Sequence, residues 1–261
     1  MSGNNIDKLL SFLNGKPVSV EVRGLRKSFD GQEVLKGVDF KVSAGEMIVL
    51  LGRSGSGKTL LMRHISGLET PDAGEVLIGS EPIEVTRTTV SFVFQSSALF
   101  NSMSVSENVE LFIREHGVID CESAIKELST AVLSLVGLAG RESAMPSELS
   151  GGMRRRVAIA RALLTNPDVI LFDEPTTGLD PATKKSVRDL LLIIRREIGI
   201  TQIVVTHDVE LAFALAERLS IMHSGQIVET GTYEEISTSK NPLVRGFFSG
   251  SNAEESLEEQ S

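Results

Sequence analysis

The spacing of apolar residues changes character several times along the chain. Val18-Ser19-Val20-Glu21-Val22 alternates with period two, which predicts a strand buried on one face. Val38 to Val42, after the turn-like Asp30-Gly31, and Gly74-Glu75-Val76-Leu77-Ile78-Gly79 are further strand candidates. Together they predict an antiparallel sheet near the start. Met47-Ile48-Val49-Leu50-Leu51, Val169-Ile170-Leu171-Phe172 and Gln202-Ile203-Val204-Val205-Thr206 are apolar with little or no alternation. Such runs suit parallel strands covered on both faces. Helical segments separate them, so the core is predicted to be α/β.

Strand signals stop between about Asn101 and Pro167, where Glu122 to Val136 and Gly152 to Leu164 carry helical spacing. This stretch reads as an all-helical insert. Asp180-Pro181 offers an N-cap and first-turn pair for a helix running to Ile198, and Gly199 is placed to stop it. Ser220 to His223 and Gln226 to Val228 flank Ser224-Gly225 as a hairpin. The last helix candidate ends near Ser237, before Asn241-Pro242 and a short apolar segment, Val244 to Phe248.

Composition narrows the class. With 261 residues and 41% hydrophobic positions, the chain can bury a sizeable core without disulfides. Its single cysteine, Cys121, fits a reducing compartment. No apolar run approaches the roughly 18–20 residues that span a bilayer. Met1 to Leu13 lacks the basic flank and apolar block of a secretory signal, so a cytosolic protein is expected. The net charge of −9 mildly disfavours nucleic acid or an anionic lipid surface as the main partner. Glu254, Glu255, Glu258 and Glu259 mark an acidic tail that reads as disordered. His64, His116 and His223 have no motif around them.

Two clusters carry candidate chemistry. Gly52-Arg53-Ser54-Gly55-Ser56-Gly57-Lys58-Thr59 fits G-x-x-x-x-G-K-[ST], follows a strand and opens a helix at Leu60. Glycines let backbone amides wrap phosphates, Lys58 suits the β- and γ-phosphates, and the Thr59 hydroxyl suits Mg²⁺. The second cluster ends the apolar run at Phe172. Asp173 suits Mg²⁺ through its water shell, and Glu174 can orient and deprotonate a water.

Leu149-Ser150-Gly151-Gly152-Met153 resembles the signature motif of ABC-transporter ATPases, with Met153 where Gln is usual. The other motifs of that family follow in order. Phe29 matches the aromatic A-loop, Gly52 to Thr59 Walker A, Gln95 the Q-loop and Val169 to Asp173 Walker B. Glu174 matches the catalytic glutamate, Gly178 to Asp180 the D-loop and His207 the switch histidine. The resemblance covers about Val18 to Ile236 and implies an α/β P-loop NTPase core with an antiparallel β subdomain and an inserted α-helical subdomain.

It further implies ATP and Mg²⁺ as ligands. Residues Gly52 through Leu60 hold the nucleotide of their own subunit, with Phe29 stacking on adenine; a plain core role is the alternative reading of Phe29. Ser150, Gly151, Gly152 and Asp180 contact the nucleotide across a pair of subunits, and Thr59, Gln95 and Asp173 ligate the metal. Glu174, His207, Lys58 and Gln95 are the implied catalytic set. Of Arg154, Arg155 and Arg156, at most one or two can face nucleotide, and the others are expected on a solvated or salt-bridged face.

Within the family, Gln95 to Val109, Arg114-Glu115-His116 and Ser150 to Ala158 are similar to the ATPases of MCE-type phospholipid transporters. Asn241 to Phe248 is similar to the C-terminal segment of that group, which reaches toward the partner subunit. The expected organisation is an N-terminal extension over residues 1–17 and an ATPase domain over 18–240, with the helical subdomain at about 101–167. A partner-contacting segment over 241–250 and an acidic disordered tail over 251–261 complete it. Expected partners are a membrane permease, a second copy of the chain and an MCE-type lipid-binding subunit. The expected location is the cytoplasmic face of the inner membrane. A polar amino-acid importer and an efflux system are the alternatives within transport.

Overall fold

A computed structural model describes residues 3–13 and 16–249. The tail expected to be disordered, residues 251–261, lies outside the described residues. In chain order the elements are α1 (Gly3–Phe12), β1 (Val20–Phe29), β2 (Gln32–Val42), β3 (Met47–Gly52), α2 (Lys58–Ile65), β4 (Ala73–Ile78), β5 (Glu81–Pro82) and β6 (Val90–Val93). Then come α3 (Val105–Glu115), α4 (Glu122–Leu135), α5 (Gly151–Leu163), β7 (Val169–Asp173), α6 (Pro181–Ile198) and β8 (Thr201–Thr206). The chain closes with α7 (Val209–Leu215), β9 (Arg218–His223), β10 (Gln226–Gly231), α8 (Tyr233–Ser237) and α9 (Pro242–Ser249). Among the described residues these form two compact units, one of residues 3–13, 16–17 and 87–201 and one of residues 18–86 and 202–249.

The second of these units holds the expected antiparallel sheet, ordered β2-β1-β4-β5. Its first hairpin turns on Asp30 and Gly31, both at positive φ (48° and 81°), the two-residue turn whose twist matches the strands. β1 runs seven residues past the alternating stretch that predicted it. A register shift between Val22 and Leu25 breaks the alternation without ending the strand. In the same unit β3 pairs in parallel with β8 and β9, and all six of its residues are buried, as its unbroken apolar run requires. β9 and β10 form the expected hairpin around Ser224 and Gly225.

The other unit pairs β6 with β7 in parallel, Phe92 opposite Leu171. Here α3, α4 and α5 pack on one another, and α5 also meets β6 and α6. The helical stretch thus packs as an insert beside the strand pair and α6 of its unit. Within the N-terminal extension, α1 lies on α4, with Leu9 and Leu13 buried and Lys8 paired to Glu127 at 2.7 Å.

The C-terminal segment is covered in part by its own unit. Val244 of α9 is fully buried within its own unit, and the Phe248 ring stacks on Phe213 with centroids 5.4 Å apart. Tyr233 meets the same Phe213 edge-on.

Candidate active site

The loop between β3 and α2 is shaped by its glycines. Gly57 caps α2 at φ 104°, a conformation that side-chain-bearing residues avoid, and this turns Lys58 and Thr59 into the first helical turn. A Cβ at Gly52 would stand 2.5 Å from the Met222 carbonyl oxygen and 2.7 Å from Ser56 Oγ, so only glycine lets the loop close there. Gly225, at the β9–β10 turn, donates its amide to the Ser56 carbonyl at 3.0 Å and braces the loop from outside.

This loop suits a polyphosphate. Lys58 is 6% exposed, and its ammonium donates to the carbonyls of Gly52 (2.6 Å) and Arg53 (2.9 Å), which holds its charge inside the loop. The Ser56 hydroxyl is buried without a protein partner among the described residues. A helix start with its amides, a lysine and an unsatisfied hydroxyl together form an anion cradle. Thr59 is exposed beside it.

His207 follows β8 and precedes Asp208, whose side chain caps α7 by accepting the Leu211 amide at 3.1 Å. It lines a pocket of about 300 Å³ with Gly52, Arg53, Ser54, Val209, Gly246 and Phe247. Phe29 is 46% exposed at the end of β1, so it is not a core residue. The Lys27 ammonium stands 5.4 Å from the Phe29 ring centre and is itself held by Glu69 and Asp72 at 3.1 and 3.4 Å.

The remaining candidates lie in the unit that contains β7. Asp173 ends that strand at 5% exposure, and Glu174 follows at φ 48°, a left-handed turn for a residue other than glycine. The Glu174 carboxylate accepts the Thr177 hydroxyl at 2.8 Å. Backbone strain imposed on a carboxylate at a strand end is a frequent mark of a functional position. Gln95 is exposed just past β6.

Ser150 caps α5 by accepting the Met153 amide at 3.3 Å, and both Ser150 and Gly151 are exposed. Gly152 is buried where α5 meets Thr183 of α6. Asp180 caps α6 as expected, accepting the Ala182 and Thr183 amides at 3.1 Å each. A hydrogen bond from the Thr183 side chain, and next the Thr183 backbone amide, hold the Asp180 carboxyl below the usual range.

Of the three arginines, Arg154 is exposed as a solvated face would have it, and Arg155 departs from that expectation. Each donates to a backbone carbonyl: Arg154 to Leu149, Arg155 to Phe94 and Arg156 to Val136. Arg155 is 4% exposed, so it lies on no solvated face. Burial pushes its guanidinium pKa down, against the charges of Asp173 and Glu174. Thr177, Thr183, Met222 and Gly225 also shape the candidate site and were missed. Only the Ser-Gly turn at Gly225 left any sign in the sequence.

A phosphate cradle at a strand-to-helix loop and a buried strand ending in Asp-Glu define a P-loop ATPase. Residues 35–177 match the family model described as ABC transporter, and the chain belongs to that family. It is an ABC-type ATPase that hydrolyses ATP with Mg²⁺. It is 39% identical to Protein TRIGALACTOSYLDIACYLGLYCEROL 3, chloroplastic, of Arabidopsis thaliana, over 96% of this chain and 79% of that one. It is also 39% identical to the probable ribonucleotide transport ATP-binding protein mkl of Mycobacterium leprae, over 89% of this chain and 69% of that one. Proteins named for sulfate/thiosulfate import and for spermidine/putrescine import match over 88% and 92% of the chain. Among solved structures, the ATP-binding cassette MJ0796, described as a dimer in a post-hydrolysis state bound to ADP and Pi, superposes with a TM-score of 0.74. It is 31% identical, over 82% of this chain and 98% of that one. No helix among the described residues is long and apolar enough to cross a membrane.

Proposed function

We propose that this chain powers lipid transport between membranes, as one of two ATPase copies held by a membrane permease on the cytoplasmic face of the inner membrane. An MCE-type lipid-binding subunit completes the assembly. The observation that carries the pairing is the start of α5. Its exposed Ser150 and Gly151 present helix amides and the positive dipole end outward, where an anion is stabilised. In this reading the anion is the γ-phosphate of the nucleotide held by the second copy.

Within each copy, Phe29 stacks on adenine, and Gly52 through Leu60 wrap the phosphates with Lys58 among them. Glu174 takes the proton of the attacking water, and His207 senses the γ-phosphate. Asp180 orders its helix start next to the signature and contacts the second copy. Thr59, Asp173 and Gln95 suit Mg²⁺, being hydroxyl, carboxylate and amide oxygens. Bound there, the metal would neutralise charge on the transferring phosphoryl group.

Lipid as cargo is supported by the resemblance of Gln95 to Val109 and Ser150 to Ala158 to MCE-system ATPases, and by the plant relative named for a galactolipid. Relatives named for sulfate and polyamine import favour a second reading, uptake of a small polar solute. Purification of the chain with its permease, followed by mass spectrometry of bound small molecules, separates the two. Co-purifying phospholipid supports the first reading; a polar solute with its binding protein replaces it and leaves the ATPase intact.

A further inference from the structure

Two arginines of α5 grip the backbone on either side of Gln95. Arg155 donates through Nη1 to the Phe94 carbonyl at 2.8 Å, and its Nε is buried without a partner among the described residues. Six residues on, Arg161 donates to the carbonyls of Ala98 at 2.8 Å and Ser97 at 3.2 Å, with its guanidinium 5.9 Å from the Phe100 ring centre. Six residues advance a helix by about 9 Å. The gripped carbonyls thus bracket the Gln95 segment along the helix. Ser97 and Ala98 both hold positive φ, 65° and 43°, which such residues adopt when their surroundings impose it. Arg161 is bonded to both strained residues.

α5 is also the helix that Ser150 caps, so one rigid element carries the signature at its start and both grips further along. Arg155 sits within the electrostatic reach of Asp173 and Glu174, which favour its charged form. A charged guanidinium makes a stronger bond to a carbonyl than a neutral donor does, and its planar fork fixes direction. Burial of such a group at 4% exposure is costly unless it is hydrogen-bonded and near opposite charge, as Arg155 is through Phe94, Asp173 and Glu174.

We propose that Arg155 is a positioning residue for ATP hydrolysis: through the Phe94 carbonyl it sets Gln95 relative to the signature helix, so that Gln95 moves when α5 moves. This rests on the reading of Gln95 given above. If Arg155 is only a buried tie, its loss lowers stability, and any effect on turnover is independent of Gln95.

A double-mutant cycle on the full-length chain decides between these. Arg155→Met is expected to lower kcat about 10-fold, the scale of losing a supporting contact, and to leave KM for ATP within about twofold. Arg155→Lys, which keeps a charged donor, recovers part of the loss. In a Gln95→Ala background, Arg155→Met costs less than about twofold more. An unchanged kcat, or the same roughly 10-fold loss in both backgrounds, overturns the proposal. A Gln95→Ala chain with wild-type kcat overturns the Gln95 reading first, and the proposal with it. Should Arg155→Met not fold, Arg155→Lys in both backgrounds gives the same cycle. A loss confined to the Gln95 chain supports the proposal; an equal loss in both, or none, overturns it.

Discussion

The Cγ2 methyl of Thr183 fills the space that a side chain on Gly152 would need. The second glycine of the signature is thus demanded by the packing of α5 on α6, whatever ligand approaches it. The two helix starts are fixed together, and each is capped by its own polar residue, Ser150 and Asp180.

The sign of one substitution tests this. Gly to Ala inside a helix ordinarily gains about 1 kcal/mol. Gly152→Ala should instead cost about 1–3 kcal/mol, the usual range for overpacking. Thr183→Ser, which deletes the methyl and keeps the hydroxyl, should restore the lost stability. Denaturant titration of Gly152→Ala, with and without Thr183→Ser, reads this directly, and a stabilised Gly152→Ala chain would refute the packing account.

Lys58 is the charge inside the phosphate loop. A hydrogen bond to a charged group contributes about 1.5–3 kcal/mol, so Lys58→Ala should weaken ATP binding at least about 10-fold. Titration with a fluorescent ATP analogue measures it. Unchanged affinity would remove the nucleotide from this loop.

Phe29 stands exposed at the end of β1 over the Lys27 ammonium. A stacked aromatic contributes about 0.5–1.5 kcal/mol beyond its buried area. Phe29→Ala should therefore raise KM for ATP about two- to tenfold, and Phe29→Tyr should not. Equal KM values for all three chains would mean that adenine binds elsewhere.

Asp72 steadies the same strand end. Its carboxyl is held below the usual range chiefly by the Ser28 amide, and next by Lys27. A depressed folded pKa means the stabilisation is complete above the ordinary carboxylate range and fades as pH falls below it. Asp72→Asn should lower Tm slightly at pH 7, because the side chain is half exposed, with the difference closing below about pH 4. A pH-independent difference would point to another cause.

What the sequence disclosed was local. The phosphate loop, the Asp180 and Gly199 caps of α6 and the Ser224-Gly225 turn each lie within a few consecutive residues, and the structure holds each where it was expected. What escaped was set by contacts distant along the chain. Arg155 reaches Phe94 across 61 positions, and nothing beside it in sequence marks it as buried. Its charge instead suggested a solvated face. β1 outran its alternation at a bulge, and α1 found its partner in α4, more than a hundred residues away. Covering of Val244 and Phe248 by their own unit is of the same kind.

Glu174→Gln bears most directly on paired hydrolysis, because it removes the assigned base and keeps the shape of a side chain that accepts from Thr177. Analytical ultracentrifugation with Mg²⁺-ATP should show a dimer that retains nucleotide, while turnover falls at least about 100-fold. A chain that stays monomeric with ATP bound and hydrolyses it near the wild-type rate would contradict both the base and the pair.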